Sequence, residues 1–226
     1  MVERPERPER LGGRWTGGTK STFLAACVLS TAIVLGGAGV AGAEPVSASH
    51  STLDAEWDAS WVAYELENSQ AGSALVTVNV TLPITIDAPI DRVFPVYSNF
   101  ANGVGRHPFL RGVLDRRTYT EGGADVREFI ALEDIPAGPV TIPGRTVGQQ
   151  RVYAADHWYS TDTWDMPGVI THQKVTFAED GDATTVTEHL TFSAPAALID
   201  YTVKNGVSSH IANQQAMQRD IENGTL

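Results

Sequence analysis

From Val76 to Ile86 apolar and polar residues alternate. Val76, Val78, Val80, Leu82, Ile84 and Ile86 share one face, and Thr77, Asn79, Thr81 and Thr85 share the other. Period two marks a half-buried strand. Pro83 has no N–H for a ladder, so this strand is expected to be bulged there or to lie at an edge. The rhythm changes at Asp87-Ala88-Pro89. Asp87 fits a helix N-cap and Pro89 an early helical position. Val93, Phe94, Val96, Tyr97 and Phe100 then supply an apolar helical face, which Pro95 shortens or kinks. Asn102-Gly103 ends that helix, and His107-Pro108 begins a second short piece or turn.

From Gly112 the pattern predicts six more strands, roughly 113–120, 125–134, 145–154, 157–164, 169–177 and 184–193. Gly122-Gly123, the stretch 136–143, Pro167-Gly168 and Asp180-Gly181-Asp182 separate them with turn chemistry. Such short connections imply an antiparallel meander. Ser193 and Pro195 open a long helix from 196 to about 223, with Ile199, Val203, Val207, Ile211 and Ile221 near one face. Gly224 is its stop, and Asn205-Gly206 a point where it is expected to bend. Upstream, Leu53, Trp57, Trp61 and Tyr64 recur at four- and three-residue spacing, a short amphipathic helix over 53–66 capped by Ser51 or Thr52. Polar segments at 44–51 and 68–74 read as its linkers. The aromatic stripe either packs on the domain or acts as a lid or partner-binding face.

One strand, short helices, six strands and one long C-terminal helix have few compact solutions. The predicted class is α+β: a seven-stranded curved antiparallel sheet wrapped around the C-terminal helix, the only element large enough to cover its apolar face. The order of elements, with Ile86-x-Ala88-Pro89-x-x-x-Val93-Phe94, resembles the START-like helix-grip superfamily (SRPBCC), which includes polyketide cyclase/dehydrase and lipid-transport proteins. The strand and Pro-Gly turn at 162–168, Gly181-x-x-Thr184-x-Val186-Thr187, and Ala194-Pro195 before the long helix also match. The resemblance covers about 76–223. It implies an apolar cavity between helix and sheet, in which relatives bind sterols, lipids, polyketides or hormones. Some relatives transform their ligands and others only carry them. The motifs are architectural and bring no catalytic set.

Composition adds a compartment and removes partners. Arg4, Arg7, Arg10, Arg14 and Lys20 precede an apolar run and Ala41-Gly42-Ala43, the pattern of a secretory signal peptide over 1–43. A retained anchor, and a lipid on Cys27, are the weaker readings of the same stretch. The organisation expected is therefore a leader over 1–43, a linker and short Trp-rich helix over 44–74, and a ligand-binding domain over 75–226, secreted or in the cell envelope. Cleavage removes Cys27, the only cysteine, and with it disulfides, thiol catalysis and sulfur-ligated zinc. It also leaves no stable membrane insertion. The net charge of −11 repels phosphate backbones, so nucleic acid is not an expected partner. Oligomeric state is open.

Candidate chemistry comes from strand parity. Glu188 shares a face with Val186, Leu190 and Phe192, and Glu128 with Val126, Ile130 and Leu132. A carboxyl desolvated on an apolar face has a raised pKa and suits general acid or base work near neutral pH. The competing expectation is a sheet-edge position or pairing with Arg151 or Arg127. Trp158 and Trp164, with Tyr97, Phe94, Phe192 and His210, are the expected ligand-binding residues. No cofactor or metal is expected, since there is no phosphate loop, nucleophile elbow, H-E-x-x-H or HxH spacing. Three functions fit: an exported carrier of a hydrophobic small molecule or lipid; a cyclase, aromatase or dehydratase, thus a lyase or isomerase; and an envelope domain that binds a partner through the Trp57/Trp61/Tyr64 stripe.

Overall fold

In the computed structural model, which describes residues 45–165 and 168–226, the alternating stretch is β1, Leu75–Ile86. The leader expected over 1–43, and Pro167 of the expected Pro-Gly turn, lie outside the described residues. β1 pairs antiparallel with β7, Ala183–Pro195, in unbroken register through Pro83 opposite Thr187. Pro83 needs no bulge because β1 is an edge strand, with order β1-β7-β6-β5-β4-β3-β2 across the sheet. The intervening strands are β2 (Leu110–Glu121), β3 (Ala124–Ala137), β4 (Val140–Tyr153), β5 (Trp158–Asp165) and β6 (Val169–Asp180). The described residues thus form one seven-stranded antiparallel sheet. The stretch 136–143 is not a long loop, because β3 and β4 continue pairing to Ala137 and Val140 around Gly138, which has φ +68°.

Three α-helices accompany the sheet among the described residues. α2, Ile90–Tyr97, follows β1 and is only eight residues long, with Pro95 inside it. It starts later than Asp87 would set it: Pro89 holds the cap position, and no side chain caps the helix. α3, Ile199–Glu222, is one uninterrupted helix, so Asn205-Gly206 does not end or split it. Gly206 serves a close approach instead: a Cβ there would stand 2.6 Å from Cε1 of Phe192. Helix and strand meet at that contact, with Leu190, Ile199, Val203 and Val207 around it. Farther along, Met217 and Ile221 of α3 pack with Phe94 and Tyr97 of α2 and with Val175, Phe177 and Val186 of the sheet.

α1, Pro45–Ala74, is a thirty-residue helix, longer at both ends than the short one the aromatic stripe predicts. Between Pro45, at its first position, and Gly72 no proline or glycine interrupts the helix, and side chains from Asp54 to Glu67 hold it on the sheet. Trp57 and Tyr64 are buried against Ile130, Val147, Trp164 and Ile170. The stripe therefore packs on the domain, on the sheet face opposite α3. No described helix is long and apolar enough to cross a membrane.

Candidate functional site

Register sorts every strand residue onto one of two faces. Glu188 opposes Leu82 and Val175, Val175 opposes Tyr159, and Phe192 opposes Val78 and Thr171. These form the inner face, toward α3. Glu128 opposes Gln149, Gln149 opposes Asp162, and Trp164 opposes Val147 and Ile170. Those form the outer face, under α1. Of the predicted site residues, Glu188, Tyr97, Phe94, Phe192 and His210 thus converge inside. Glu128, Trp158 and Trp164 do not join them. Trp158 stacks on Tyr153 with Lys174 over its ring, and Trp164 donates its Nε1–H to Glu67 of α1 at 2.5 Å. Parity groups residues by face, but it does not say which face the C-terminal helix covers.

Glu128 is a structural counter-ion. The register slips between Asp115 and Arg117, so consecutive Arg116 and Arg117 both reach one carboxylate. Arg116 donates to Glu128 at 2.7 Å, and Arg117 donates to both oxygens at 2.7 and 2.9 Å. These are not the expected partners, Arg151 and Arg127. Burial pushes the Glu128 carboxyl up, but the bonds from Arg117 and Tyr119 and the charges of both arginines outweigh it and hold the group below its ordinary value. Arg116 also bonds Asp54 and Asp58 of α1 and lies 4.5 Å above Trp57, so the cluster fastens α1 to the sheet.

Glu188 is fully buried and fully engaged. Tyr97 donates its hydroxyl to Oε1 at 2.8 Å, and Oε2 accepts Gln173 Nε2 at 3.1 Å and His210 Nδ1 at 2.8 Å. Burial pushes this carboxyl up as well, but the charge of His210 and the hydrogen bonds from His210, Tyr97 and Gln173 prevail and lower it. The raised value expected for an isolated carboxyl on an apolar face does not hold, because the face supplies three donors. Glu188 is an ion that orients His210, and Nδ1–H of His210 is committed to it. Nε2 is left as the nitrogen that can exchange a proton.

Two further features are not legible in the sequence. His107 sits edge-on to His210, ring centroids 5.7 Å apart. Burial first, then His210, drives its pKa down to about 3, and its Nδ1 accepts the Phe109 N–H at 3.3 Å. His107 is therefore a neutral ring whose free N–H is on Nε2. On the same inner face, Thr146 Oγ1 lies 2.6 Å from Glu133 Oε2 and also contacts Asp165 Oδ1. One hydroxyl proton cannot serve two carboxylates, so one of the acids is protonated. Burial, followed by the charge of Glu133, pushes Asp165 up to about 7. The signal for this pair lies in register: Glu133 is two residues from inward-facing Ala131, and Asp165 two from Thr163.

Thr163, Thr171, Gln173, Glu133 and Asp165 all lie on the inner face, yet each remains partly exposed. The inner face of β3, β5 and β6 is thus polar at these positions and in part open to solvent, whereas Phe192 beside it is buried against α3. His210 keeps 18% of its side chain exposed.

A family model described as polyketide cyclase/dehydrase and lipid transport matches residues 77–221, which leaves α1 outside. No curated protein matches. Among solved structures, the Zhui aromatase/cyclase from Streptomyces sp. R1128 superposes with TM-score 0.52 at 14% identity, over 67% of this chain and 97% of its own. TTHA0849 from Thermus thermophilus gives 0.51 at 13%, over 66% and 100%. At such identities the likeness is one of fold, a curved antiparallel sheet with a long C-terminal helix. The chain belongs to the polyketide cyclase/dehydrase and lipid transport family.

Proposed function

We propose that this domain binds a small, largely apolar molecule with oxygen functions between α3 and the sheet, and moves a proton on it through His210. The observation that carries this reading is the 2.8 Å contact between His210 Nδ1 and the buried Glu188, which leaves Nε2 free for a proton on a ring that is 18% exposed. A carboxylate that fixes one imidazole nitrogen so that the other does the chemistry is a recurrent general acid–base arrangement. The protonated member of the Glu133–Asp165 pair is a proton source on the same face. A base that removes a proton from carbon, and an acid that protonates a departing hydroxyl, together expel water. That is the bond change of a dehydration, in which a C–H and a C–O bond break, a C=C bond forms and water leaves, and it accords with a family described as polyketide cyclase/dehydrase.

A second reading, carriage without chemistry, has one observation in its favour: Glu188 is itself sealed off and hydrogen-bonded on both oxygens. Phe192, Phe94 and Tyr97 then serve as the apolar wall for a lipid or other hydrophobic cargo. Either reading takes the 1–43 leader as an export signal, with action outside the cytoplasm.

Native mass spectrometry of protein purified from its own host tests binding, with one bound small-molecule mass expected. Turnover of that molecule by Glu188→Gln should fall by roughly 10²-fold or more, because the neutral amide no longer holds or stabilises the imidazolium. A chain without any bound molecule contradicts the binding claim, and unchanged turnover contradicts the catalytic one.

A further inference from the structure

On the outer face, between α1 and the ends of β2–β5, lies a groove of about 440 Å³. It shares no residue with the interior around Glu188 and sits where a part of the chain outside the family match meets the sheet. Its volume is in the range of small-molecule sites. One wall is aromatic: Trp61 stacks on Trp57 with centroids 4.7 Å apart and 13° between planes, and Tyr64 lies 4.4 Å from Trp61. The floor is polar, with Tyr119, Gln149, Arg151 and Asp162.

Two groups in this groove are available to a ligand, a phenol donor and an unpaired amide acceptor. Tyr64 lines the groove and is 6% exposed, and its hydroxyl is not among the fully buried unpaired atoms. Burial and then Asp162 push its pKa up, so the phenol keeps its proton and is a standing donor. Gln149, 5% exposed, donates its Nε2 to Glu128 and Tyr119, while its buried Oε1 is without a partner. Buried polar atoms are nearly always satisfied, so the unpaired Gln149 acceptor calls for a ligand or ordered water, and the Tyr64 phenol in the same groove can donate to that molecule.

Charge narrows the class of ligand. Arg117 and Arg151 face Glu65, Glu121, Glu128 and Asp162, and Arg117 is already committed to Glu128. The excess of carboxylates disfavours an anion, and the two guanidinium groups disfavour an organic cation. An uncharged molecule with several hydroxyls meets these requirements: each hydroxyl both donates and accepts, and the C–H face of its ring lies against the aromatic wall.

We propose that this groove is a second binding site, for a neutral polyhydroxylated ring of the saccharide class. The test uses the full mature chain titrated with D-glucose, D-mannose, D-galactose and maltose, and with benzoate and choline as charged controls. Tryptophan fluorescence and ligand-observed NMR report binding. At least one sugar should saturate with a Kd of about 1 mM, and the controls should not. Tyr64→Phe should weaken it about tenfold, since it removes one hydrogen bond and leaves the ring in place. Glu121→Ala, at an exposed rim position of the groove, provides a variant that does not disturb the core, and it should weaken binding less. His210→Ala should leave the affinity unchanged. Failure of every sugar to saturate, binding of benzoate or choline in place of a sugar, or loss of sugar binding in His210→Ala overturns the proposal. The last result would send the sugar to the interior.

Discussion

Phe192 occupies the space that a side chain at Gly206 would fill: the ring carbons Cε1 and Cζ stand 2.6 and 2.8 Å from an ideal Cβ there. A glycine in the middle of α3 costs about 1 kcal/mol of helix propensity relative to alanine, and it is retained against that cost because the ring lies directly on the helix backbone. Gly206→Ala should therefore lower stability by roughly 1–3 kcal/mol in chemical denaturation, where propensity alone predicts a gain. Phe192→Leu in the same chain should recover part of the loss. A stabilised single variant would mean that α3 does not rest on β7 at this point.

The order of elements was legible because period two gave way cleanly to period 3.6 at Asp87 and again after Pro195, and because turns so short admit only neighbours in an antiparallel sheet. What parity cannot supply is which face α3 takes. Glu188 and Glu128 look equivalent along their strands, and only pairing across the sheet sends one toward α3 and the other under α1. The extra residue at Arg116 is invisible to parity for a related reason: a bulge lets consecutive residues reach one carboxylate. Gln173 and the Glu133–Thr146–Asp165 group belong to separate strands, so no local spacing joins them. The length of α1 was not legible either, because much of its support comes from Arg116, Arg145 and Trp164 rather than from its own sequence.

Glu128→Gln should be strongly destabilising, by about 3 kcal/mol or more. Arg116, whose side chain is only 9% exposed, would lose its buried counter-ion. The loss should be accompanied by loosening of α1, read as faster amide exchange over 52–69. Stability within a few tenths of wild type would show that the arginine pair does not need this carboxylate.

His107 gives the acid limb of stability a defined sign. Its folded pKa of about 3 lies below the ordinary 6.5, so between those values the unfolded chain takes up a proton that the folded chain refuses. Stability should fall by a few kcal/mol as pH drops from about 6.5 toward 3. His107→Leu should flatten that slope over the same window. A carboxylate held low, such as Glu188, contributes in the same direction, since its stabilisation is lost as pH falls through its folded pKa, so some acid loss should remain. An identical slope in wild type and variant would place His107 in water.

Asp165 acts in the opposite direction. Its folded pKa of about 7 lies above the ordinary 3.8, so the folded chain holds a proton that the unfolded chain has released. That contribution is intact at pH 3 and is lost as pH rises through 7. Asp165→Asn should gain roughly 2–4 kcal/mol over wild type at pH 8 and little at pH 4, measured as denaturation midpoints across pH. An equal effect at both values would mean that Asp165 and Glu133 are not sharing a proton.

The central claim is that His210 moves a proton on a molecule held against α3. The bound molecule from the native protein, returned to wild-type chain in D₂O and followed by mass spectrometry, tests it most directly. The account predicts that the molecule, or its dehydrated product, gains deuterium at carbon over time with wild type and not with His210→Ala, while Tyr64→Phe behaves as wild type. A molecule that remains bound and unlabelled in wild type, at the rate seen with His210→Ala, would contradict it.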